Sequence, residues 1–425
     1  MTVDTLAVAP AAETADLYRR YLSRGRAKLG DMFGGHEEVA SQGAWIHTAD
    51  GQRFLNAGGY GVFIHGARHP AVEAAVIEQI RTHPLASRLF LEPQAARAAA
   101  ALVEVAPPGL ERVHFAGSGA EAVEAAIKMA RTHGRTRLVS TVRGYHGKTM
   151  GALSVTASEM YQDPFRPLLP GVTHVRYGDA EALAAVLADG PPACVIVEPV
   201  QGEAGVVIPP AGYLADVARL CREHGAFLVL DEVLTGLGRL GHWWGADREG
   251  VTPDILLVGK GLSGGIVPVS AAVATAEAFR AFDKDPFLHT STFSAAPIAM
   301  AAVRAAIEAM RAEDLVGRAA AIGADLLDRL RTLAAPYPHL VREVRGVGLL
   351  IGMEFVAPGL AGEALVELIA RQVIVNHSLN ADTVLRLTPP AVLSPAETDH
   401  LVSAFDSALR VLTRRYPTPD HVGTH

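Results

Sequence analysis

The sequence predicts an α/β fold, with a mostly parallel, doubly wound sheet in the middle of the chain and a smaller α/β domain after it. From about residue 55 to 310, apolar runs alternate with helical segments, which is typical of a parallel sheet covered by helices. The run 226–230 is apolar throughout, as a strand buried on both faces requires. We therefore assign residues 1–50 to an N-terminal segment contributing to the small domain, 51–312 to a large domain and 313–425 to a C-terminal small domain.

The N-terminal part of the chain predicts one helix and one hairpin. Residues 1–12 are expected to lack regular structure, and residues 14–29 have the periodicity of a single amphipathic helix. The turn dipeptide Asp50-Gly51 separates two short strand-like runs, which predicts a β-hairpin. At the other end, residues 416–425 are rich in proline and are expected to be loose.

From residue 71 onward helices and strands alternate. Helices are predicted at 71–82, 93–104, 120–132, 213–224 and 295–312, and strands at 112–115, 137–142, 193–197, 226–230 and 254–258. Residues 315–415 carry further strand and helix signals, including a strand at 383–387, and they form the second domain.

The composition excludes several classes of protein. The 38 Lys and Arg against 45 Asp and Glu give a net charge of −7 without a basic block, which argues against nucleic acid as a partner. No apolar run reaches the roughly 20 residues that span a bilayer, and the start resembles no signal or transit peptide. We therefore expect a cytoplasmic protein with no membrane partner. Cys194 and Cys221 are too few for a disulfide framework, and the histidines lack ligand spacing, so no metal is expected.

Two charged residues stand at the ends of predicted buried strands. Asp231 ends the run 226–230, and Lys260 follows the run 254–258. Such charges are costly unless they face a cleft or a cofactor. Pyridoxal 5′-phosphate (PLP) needs a carboxylate that keeps its pyridine nitrogen protonated and a lysine that forms a Schiff base. The pair therefore favours a PLP site, although each residue alone is more simply a turn residue or a solvated charge.

A glycine-rich turn could hold the phosphate of such a cofactor. Ser118, Gly119 and Ala120 lie between a predicted strand and a predicted helix, where backbone N–H groups face an anion. The same letters match a dinucleotide motif, but the next strand ends at Arg143 without the carboxylate that a ribose needs. A phosphate site is therefore retained and a nicotinamide dehydrogenase is disfavoured.

Five further residues are candidates with alternatives. Tyr145 could stack on a flat heterocycle or fill the edge of the sheet. Glu198 and Glu203 lie in a Gly/Pro-bent loop after a strand, where carboxylates suit a cleft better than packing. Thr292 could bind phosphate or cap a helix. Arg386 could hold a substrate carboxylate in a bidentate fork or form a surface salt bridge.

The motifs, in their order, resemble those of the class-III PLP-dependent aminotransferases (ornithine, acetylornithine, putrescine and GABA aminotransferases). The resemblance runs from about Trp45 to Leu401 and is carried by EPVQGEAGVVIPPAGYL, DEVLTGLGRLG, GKGLSGGIVP, FLHTSTF and LRLTPP. The segments GGYGVFIHGARHP and DPFLHTSTF are most similar to putrescine and related diamine aminotransferases. The resemblance implies PLP as cofactor, the PLP-dependent transferase fold of type I and a large domain that binds PLP.

The resemblance also implies roles for individual residues. Lys260 and Asp231 would be catalytic, Lys260 through an aldimine with PLP and Asp231 by pairing with the pyridine N–H. The implied cofactor-binding residues are Ser118, Gly119, Ala120, Tyr145, His146, Glu198, Asp231, Val233, Lys260 and Thr292. Val233 and Tyr145 would sandwich the ring. Thr292 would reach the site of the neighbouring subunit, so a homodimer is the expected minimum assembly.

For the substrates, the resemblance implies Tyr60, Glu203 and Arg386. Tyr60 would line the entrance, while Glu203 would mask Arg386 for an amine donor and release it for a 2-oxo acid. The implied reaction moves an amino group from a primary amine, such as a diamine or ω-amino acid, to a 2-oxo acid such as 2-oxoglutarate by a ping-pong mechanism. Specialised metabolism is one interpretation. A PLP-dependent aminomutase or racemase, and a non-catalytic PLP-fold binding protein, are the alternatives.

The chain departs from the family pattern in three places. Ala120 stands where a hydroxyl would face the phosphate, and Leu234 stands where a glutamine would bond the PLP 3-oxygen. After Thr292, the usual G-G-N is Ser294-Ala295-Ala296. Each lost hydrogen bond costs about 0.5–1.5 kcal/mol, so weaker binding of the cofactor is expected.

Overall fold

The computed structural model describes residues 11–417; the expectations for residues 1–10 and 418–425 lie outside them. The prediction of a single helix over 14–29 is wrong. The chain forms a helix at Ala11–Leu17, a π-helical turn at Tyr18–Leu22 and a second helix at Arg24–Met32. The break occurs at Ser23, which is extended (φ −155°, ψ 125°) and accepts a hydrogen bond from the backbone N–H of Arg26. Ser23 thus acts as an N-cap and starts a new helix.

The described strands are β1 Glu38–Gln42, β2 Trp45–Thr48, β3 Arg53–Asn56, β4 Arg112–Ala116, β5 Arg137–Thr141, β6 Val172–Val175, β7 Ala193–Val197, β8 Phe227–Asp231, β9 Ile255–Val258, β10 Ser270–Ala274, β11 Val341–Val347, β12 Leu350–Phe355, β13 Val373–Ile374, β14 Asn376–Ser378 and β15 Ala381–Leu387. The described α-helices are α1 Ala11–Leu17, α2 Arg24–Met32, α3 Pro70–Thr82, α4 Pro93–Val105, α5 Gly119–Thr132, α6 Met150–Val155, α7 Glu159–Gln162, α8 Ala180–Ala188, α9 Tyr213–Glu223, α10 Ala276–Lys284, α11 Pro297–Ala312, α12 Leu315–Ala334, α13 Pro358–Ile369 and α14 Pro395–Arg415.

The central sheet has seven strands in the order β4-β10-β9-β8-β7-β5-β6. Six of these strands run in one direction and β10 alone runs in the other, so the predicted mostly parallel, doubly wound sheet is confirmed. Alternate residues of β8 enter two different hydrophobic clusters: Leu228 and Leu230 join one, Phe227 and Val229 the other. Helices therefore cover both faces of the sheet, and the middle strands have to be apolar along their whole length.

Two four-stranded sheets flank the central one. The first has the strand order β1-β2-β3-β13. Its strands β2 and β3 form the predicted Asp50-Gly51 hairpin, and β3 pairs in parallel with β13, which lies far along the chain. The other sheet has the order β11-β12-β15-β14 and carries Arg386 on β15, opposite Gly352. The predicted domain limits at 50/51 and 312/313 stay a prediction.

No helix within residues 11–417 has the length and apolar character that crossing a membrane requires. The carboxyl ends of β8 and β9 are the part of the fold that positions the candidate site, because β8 ends at Asp231 and β9 leads into the short 3-10 turn Lys260–Ser263. In open α/β sheets, ligands bind at this edge.

Candidate active site

A cleft of about 660 Å³ lies at the carboxyl edge of the central sheet. Most of the residues predicted from the sequence line it: Tyr60, Ser118, Gly119, Ala120, Tyr145, His146, Glu198, Glu203, Asp231, Val233 and Lys260. The fold therefore places residues that lie far apart in the sequence, from Tyr60 to Lys260, around one cleft. Arg386 and Thr292 are not among the lining residues.

Asp231 is held in place by a buried histidine. His146 Nδ1 donates to Asp231 Oδ2 over 2.8 Å, and the N–H of Val233 donates to Asp231 Oδ1 over 3.1 Å. Burial opposes the charged imidazolium, but the hydrogen bond and the negative charge of Asp231 outweigh it and raise the pKa of His146. These two hydrogen bonds fix the position of the Asp231 side chain at the end of β8.

Lys260 is partly buried and has a strained backbone conformation. Its φ is +45°, in the left-handed region that residues with a Cβ seldom adopt, and it is followed by three residues of 3-10 turn. Burial lowers the pKa of Lys260, with a further contribution from Arg386, while Glu203, Asp231 and Glu198 oppose this effect. A lysine with a lowered pKa is more often neutral, as an amine that must act as a nucleophile or a base has to be.

The N-terminus of α5 forms a cradle for an anion. Ser118 is the N-cap, and its Oγ accepts from the N–H of Glu121 over 3.3 Å. A Cβ at Gly119 would lie 3.0 Å from Val233 Cγ1, so only glycine leaves the backbone bare here. One carboxylate is close by, because the N–H of Gly117 donates to Glu121 Oε2 over 2.6 Å. The first N–H groups of the 14-residue helix point toward the cleft, where a phosphate would be favoured.

Glu198 is a buried carboxyl group between two backbone donors. The N–H of Tyr145 donates to Oε1 over 3.0 Å, and the N–H of Gly202 donates to Oε2 over 3.1 Å. Burial nevertheless raises the pKa of Glu198 to about 7. Glu198 thereby ties the loop that carries Tyr145 to the loop that carries Glu203.

Arg386 and Glu203 form a buried ion pair. Arg386 Nη1 lies 2.7 Å from Glu203 Oε1, and both side chains are buried. The alternative of a surface salt bridge for Arg386 is therefore wrong. Although this distance is short, none of the three guanidinium nitrogens has a hydrogen-bonding partner with good geometry among the described residues. Glu203 Oε2 also accepts from the N–H of Leu379 over 2.9 Å. The guanidinium is neutralised but not saturated, and it retains donors for another carboxylate.

The loop that carries Glu203 is clamped through its backbone. Arg143 Nη2 donates to Ala204 O over 2.9 Å, and Arg345 Nε donates to Gly205 O over 3.0 Å. These two arginines come from different parts of the fold, one after β5 and one on β11. Movement of the Glu203 carboxylate away from Arg386 therefore requires rotation of its side chain only.

Three functional candidates were missed by sequence reasoning. Glu232, next to Asp231, accepts from Thr235 Oγ1 and from the N–H groups of Gly245 and Ala246 over 2.6–2.8 Å. Arg239 is fully buried, and Lys148 lines the cleft with its Nζ 3.7 Å from the centre of the Tyr161 ring. Glu232 and Arg239 stand in the quoted motif DEVLTGLGRLG, so the motif itself was the available signal.

Arg239 is a buried cation that contacts three backbone carbonyls. It donates to Pro389 O over 2.5 Å, to Leu349 O over 3.2 Å and to Gly61 O over 3.3 Å. Burial, together with the charge of Arg386, lowers the pKa of Arg239 to about 9. This residue connects the turn beside Tyr60 with the sheet that carries Arg386.

Thr292 lies away from the cleft of its own chain, in an exposed segment. Large exposed apolar side chains lie near it in the sequence, at Phe287 and Phe293, and in a second segment, at Leu89, Phe90 and Leu91. Arg88 Nη1 donates to Ser291 O and joins the two segments. Exposed large apolar side chains are typical of protein–protein interfaces.

The residues of the cleft fit PLP. A flat pyridine with a phosphate needs a carboxylate, an amine and an anion cradle on one side of a cavity. Asp231 is aimed by His146, Lys260 is partly buried with a lowered pKa, and the α5 N-terminus lacks side-chain bulk at Gly119. The carboxylate of Asp231 suits the ring nitrogen of PLP, the amine of Lys260 suits its aldehyde, and the α5 N-terminus suits its phosphate.

Comparisons with known proteins identify what the chain is similar to. The family model described as aminotransferase class-III matches residues 36–409. The ornithine aminotransferase from Toxoplasma gondii ME49 has 29% sequence identity and a TM-score of 0.89, over 96% of this chain and 97% of that one. A thermostable (S)-enantioselective ω-transaminase from Thermomicrobium roseum has 30% identity and a TM-score of 0.87, over 96% and 99%. An amine transaminase from an uncultivated Pseudomonas species, in its PLP-bound form, has 31% identity and a TM-score of 0.81, over 88% and 95%.

Replacement of Glu232 by Gln should change how stability depends on pH. Burial raises the pKa of Glu232 from 4.5 to about 7. The pKa of Glu232 is higher in the folded protein than in the unfolded chain, so the protonated form of Glu232 favours folding. This stabilisation is fully present below about pH 4.5 and is lost as the pH rises through 7. Glutamine cannot ionise, so the stability of the wild type relative to Glu232→Gln should fall by about 2–3 kcal/mol from pH 5 to 8.

Urea unfolding of both proteins across this pH range measures that difference. Glu181→Gln, at an exposed position on α8, is the control and should show no trend. A difference for Glu232→Gln that stays constant with pH would show that the carboxylate is ionised at its ordinary pKa.

Proposed function

Because this chain belongs to the class-III aminotransferase family and is therefore a PLP-dependent enzyme, we propose that it transfers an amino group from a primary amine donor to a 2-oxo acid. A diamine, an ω-amino acid or a similar amine is the donor class, and 2-oxoglutarate is the acceptor. The observation that carries the proposal is the cleft that joins Asp231 and Lys260 to the buried Glu203–Arg386 pair. The first two residues serve the cofactor, and the pair serves two chemically different substrates in turn.

Bound PLP supplies an electron-withdrawing ring that acidifies the carbon carrying the amine. Asp231 would keep a proton on the ring nitrogen, and the His146 hydrogen bond of 2.8 Å keeps Asp231 in position. Ser118, Gly119 and Ala120 would hold the phosphate at the start of α5. Val233 and Tyr145 would hold the ring, and Glu198 fixes Tyr145 through its backbone N–H.

Lys260 would hold the cofactor through its amine, and the same amine is the group in the cleft that would carry a proton to and from the substrate carbon. Burial lowers the pKa of Lys260, which favours the neutral amine that a base must be. No other lysine except Lys148 lines the cleft among the described residues, and Lys148 is exposed beside Tyr161.

Glu203 and Arg386 allow one cleft to take both substrates. When paired, they present no net charge to an amine donor that lacks an α-carboxylate. When the Glu203 side chain rotates away, it leaves the N–H of Leu379 and exposes the unsaturated guanidinium of Arg386. A 2-oxo acid then receives two parallel charge-assisted hydrogen bonds from Arg386. Tyr60, exposed at the cleft, lines the entrance.

A homodimer completes the site. Thr292 is exposed beside a surface of large apolar side chains and is not a lining residue of its own cleft. We infer that this surface packs against a second copy and that Thr292 contributes its hydroxyl to the phosphate of the partner's cofactor. Burial of Leu89, Phe90 and Leu91 supplies the driving force for association.

The Lys260→Ala variant should lose the reaction. With a panel of ¹⁵N-labelled amines and either 2-oxoglutarate or pyruvate, the wild type should yield the labelled amino acid, and the variant should yield none because no other group returns the proton. Borohydride treatment of the wild type should add the mass of the cofactor to the peptide that contains Lys260. Lys284→Ala, at an exposed position, is the matched control and should react normally. Label on another lysine, or full activity of Lys260→Ala, would contradict the assignment.

The Arg386→Ala variant should damage one half-reaction more than the other. Loss of a bidentate contact to a carboxylate costs roughly 2–5 kcal/mol, or about 30- to several-thousand-fold in kcat/KM for glutamate. The amine half-reaction should change much less, and single-turnover kinetics with each substrate measure both. Since Arg386→Ala leaves Glu203 buried without its partner, the double variant Arg386→Met/Glu203→Gln removes both charges and serves as the control. Equal losses with both substrates would mean that Arg386 is structural.

Thr292 can be tested by subunit complementation. A heterodimer of one Lys260→Ala subunit with one Thr292→Val subunit has an intact lysine in the second subunit and an intact threonine in the first. If Thr292 serves the partner's site, this dimer should bind PLP at one site as tightly as the wild type does. A heterodimer with both changes in one subunit should bind PLP more weakly at its intact-lysine site, by about 0.5–1.5 kcal/mol. Equal affinity in both heterodimers would place the contact within one subunit or exclude it.

A further inference from the structure

Both oxygens of the Glu203 carboxylate are engaged while it is paired with Arg386. Oε1 lies 2.7 Å from Arg386 Nη1, and Oε2 accepts from the backbone N–H of Leu379 over 2.9 Å. Leu379 lines the cleft and lies in the two-residue turn between β14 and β15. Rotation of the Glu203 side chain therefore has to break a hydrogen bond to this turn as well as the ion pair.

The same turn is joined to the backbone of the loop that carries Glu203. The N–H of Asn380 donates to Glu203 O over 2.9 Å. Asn380 also exchanges two hydrogen bonds with Arg143, because Arg143 Nη2 donates to Asn380 O over 2.8 Å and Asn380 Nδ2 donates to Arg143 O over 3.0 Å. The backbones of the turn and of the loop are thus held together, so the Leu379 N–H stays within reach of the Glu203 carboxylate.

Tyr161, on the short helix α7, holds this turn from a different part of the chain. Its hydroxyl donates to Leu379 O over 3.2 Å, and the Nζ of Lys148 lies 3.7 Å from the centre of its ring. Burial, followed by the negative charge of Glu203, raises the pKa of Tyr161, so the phenol keeps the proton that it donates. Leu379 is therefore bonded on both sides, through its C=O to Tyr161 and through its N–H to Glu203.

Loss of the Tyr161 hydroxyl would free one side of Leu379. A turn with fewer hydrogen bonds moves more, and its N–H would then be aimed less well at Glu203. The paired state of Glu203 and Arg386 would lose stability relative to the rotated state. Because a carboxylate can bind Arg386 only in the rotated state, its apparent affinity scales with the fraction of molecules in that state. A weaker paired state should therefore strengthen the binding of a carboxylate.

We propose that Tyr161 is a positioning residue that, through the turn at Leu379, holds Glu203 against Arg386 and sets how readily the cleft admits a carboxylate substrate. This inference rests on the proposed function and adds a control on its second substrate. The paired state is the predominant one, so a shift toward the rotated state multiplies the small rotated fraction and hardly changes the paired fraction. Affinity for a substrate with an α-carboxylate therefore changes, whereas affinity for an amine without one does not.

Single-turnover kinetics of the purified PLP-loaded enzyme, with glutamate and with the amine that reacts fastest in the labelled panel, test this. Tyr161→Phe removes the hydroxyl and keeps the ring beside Lys148. It should raise kcat/KM for glutamate by about 2- to 12-fold, the range that loss of one neutral hydrogen bond allows, through a lower half-saturating concentration. With the amine, kcat/KM should stay within about twofold. Asn380→Ala, which removes the amide bond to Arg143 O, should shift the glutamate reaction in the same direction.

Tyr416→Phe is the matched control, because the Tyr416 hydroxyl donates to Glu363 Oε1 just after α14 and neither residue lines the cleft. It should change neither half-reaction. If the wild type reacts with glutamate and with an amine, but Tyr161→Phe leaves the glutamate reaction unchanged or slower, the inference is overturned and the proposed function stands. Equal rises with both substrates would overturn it as well. A wild type that reacts with no amine and not with glutamate would refute the proposed function itself.

Discussion

The rest of this site depends on one constraint: two ionisable side chains, those of Asp231 and Lys260, lie at the edge of a sheet whose central strands are apolar. Strands β8 and β9 are buried along their whole length, and the chain places a carboxylate and an amine directly after them. Charges in such a position are tolerated only when neighbours bond or neutralise them. Asp231 is supported by His146 and by the backbone N–H of Val233. Lys260 has no hydrogen-bonding or ion-pair partner within residues 11–417, and burial lowers its pKa although Glu203, Asp231 and Glu198 oppose this.

The same constraint governs the wall where substrates bind. Two guanidinium groups, those of Arg239 and Arg386, are fully buried, and only Glu203 forms an ion pair with either of them in the described part of the chain. Arg239 has carbonyl partners instead, which do not cancel its charge. Among the described residues, Arg239 therefore stays a cation without a carboxylate partner, whereas Arg386 is neutralised by Glu203.

Much of this arrangement could be predicted from the sequence because the central strands leave a strong pattern. Asp231 and Lys260 follow long apolar runs, so their position at the sheet edge follows from chain order alone. Strand β10, Ser270–Ala274, was missed because its Ala-rich sequence has no strand-like composition. The break at Ser23 was missed because a serine inside a helical period is also compatible with a continuous helix.

The side-chain contacts could not be predicted in the same way. The burial of Arg386 depends on β12, β15 and the loop of Glu203 meeting in space, and a single strand pattern contains no such information.

The parallel pairing of β3 with β13 has a consequence for how the chain is made. Leu55 pairs with Val373, so the first sheet cannot be completed until about 320 further residues have been synthesised. At about 5–20 residues per second, the ribosome needs some 15 to 60 seconds for that length. During this interval the hairpin of β2 and β3 exposes an unpaired edge, and such edges template association with other chains. The N-terminal hairpin is therefore the part of the nascent polypeptide that depends most on chaperones or on a slow, late closure of the fold.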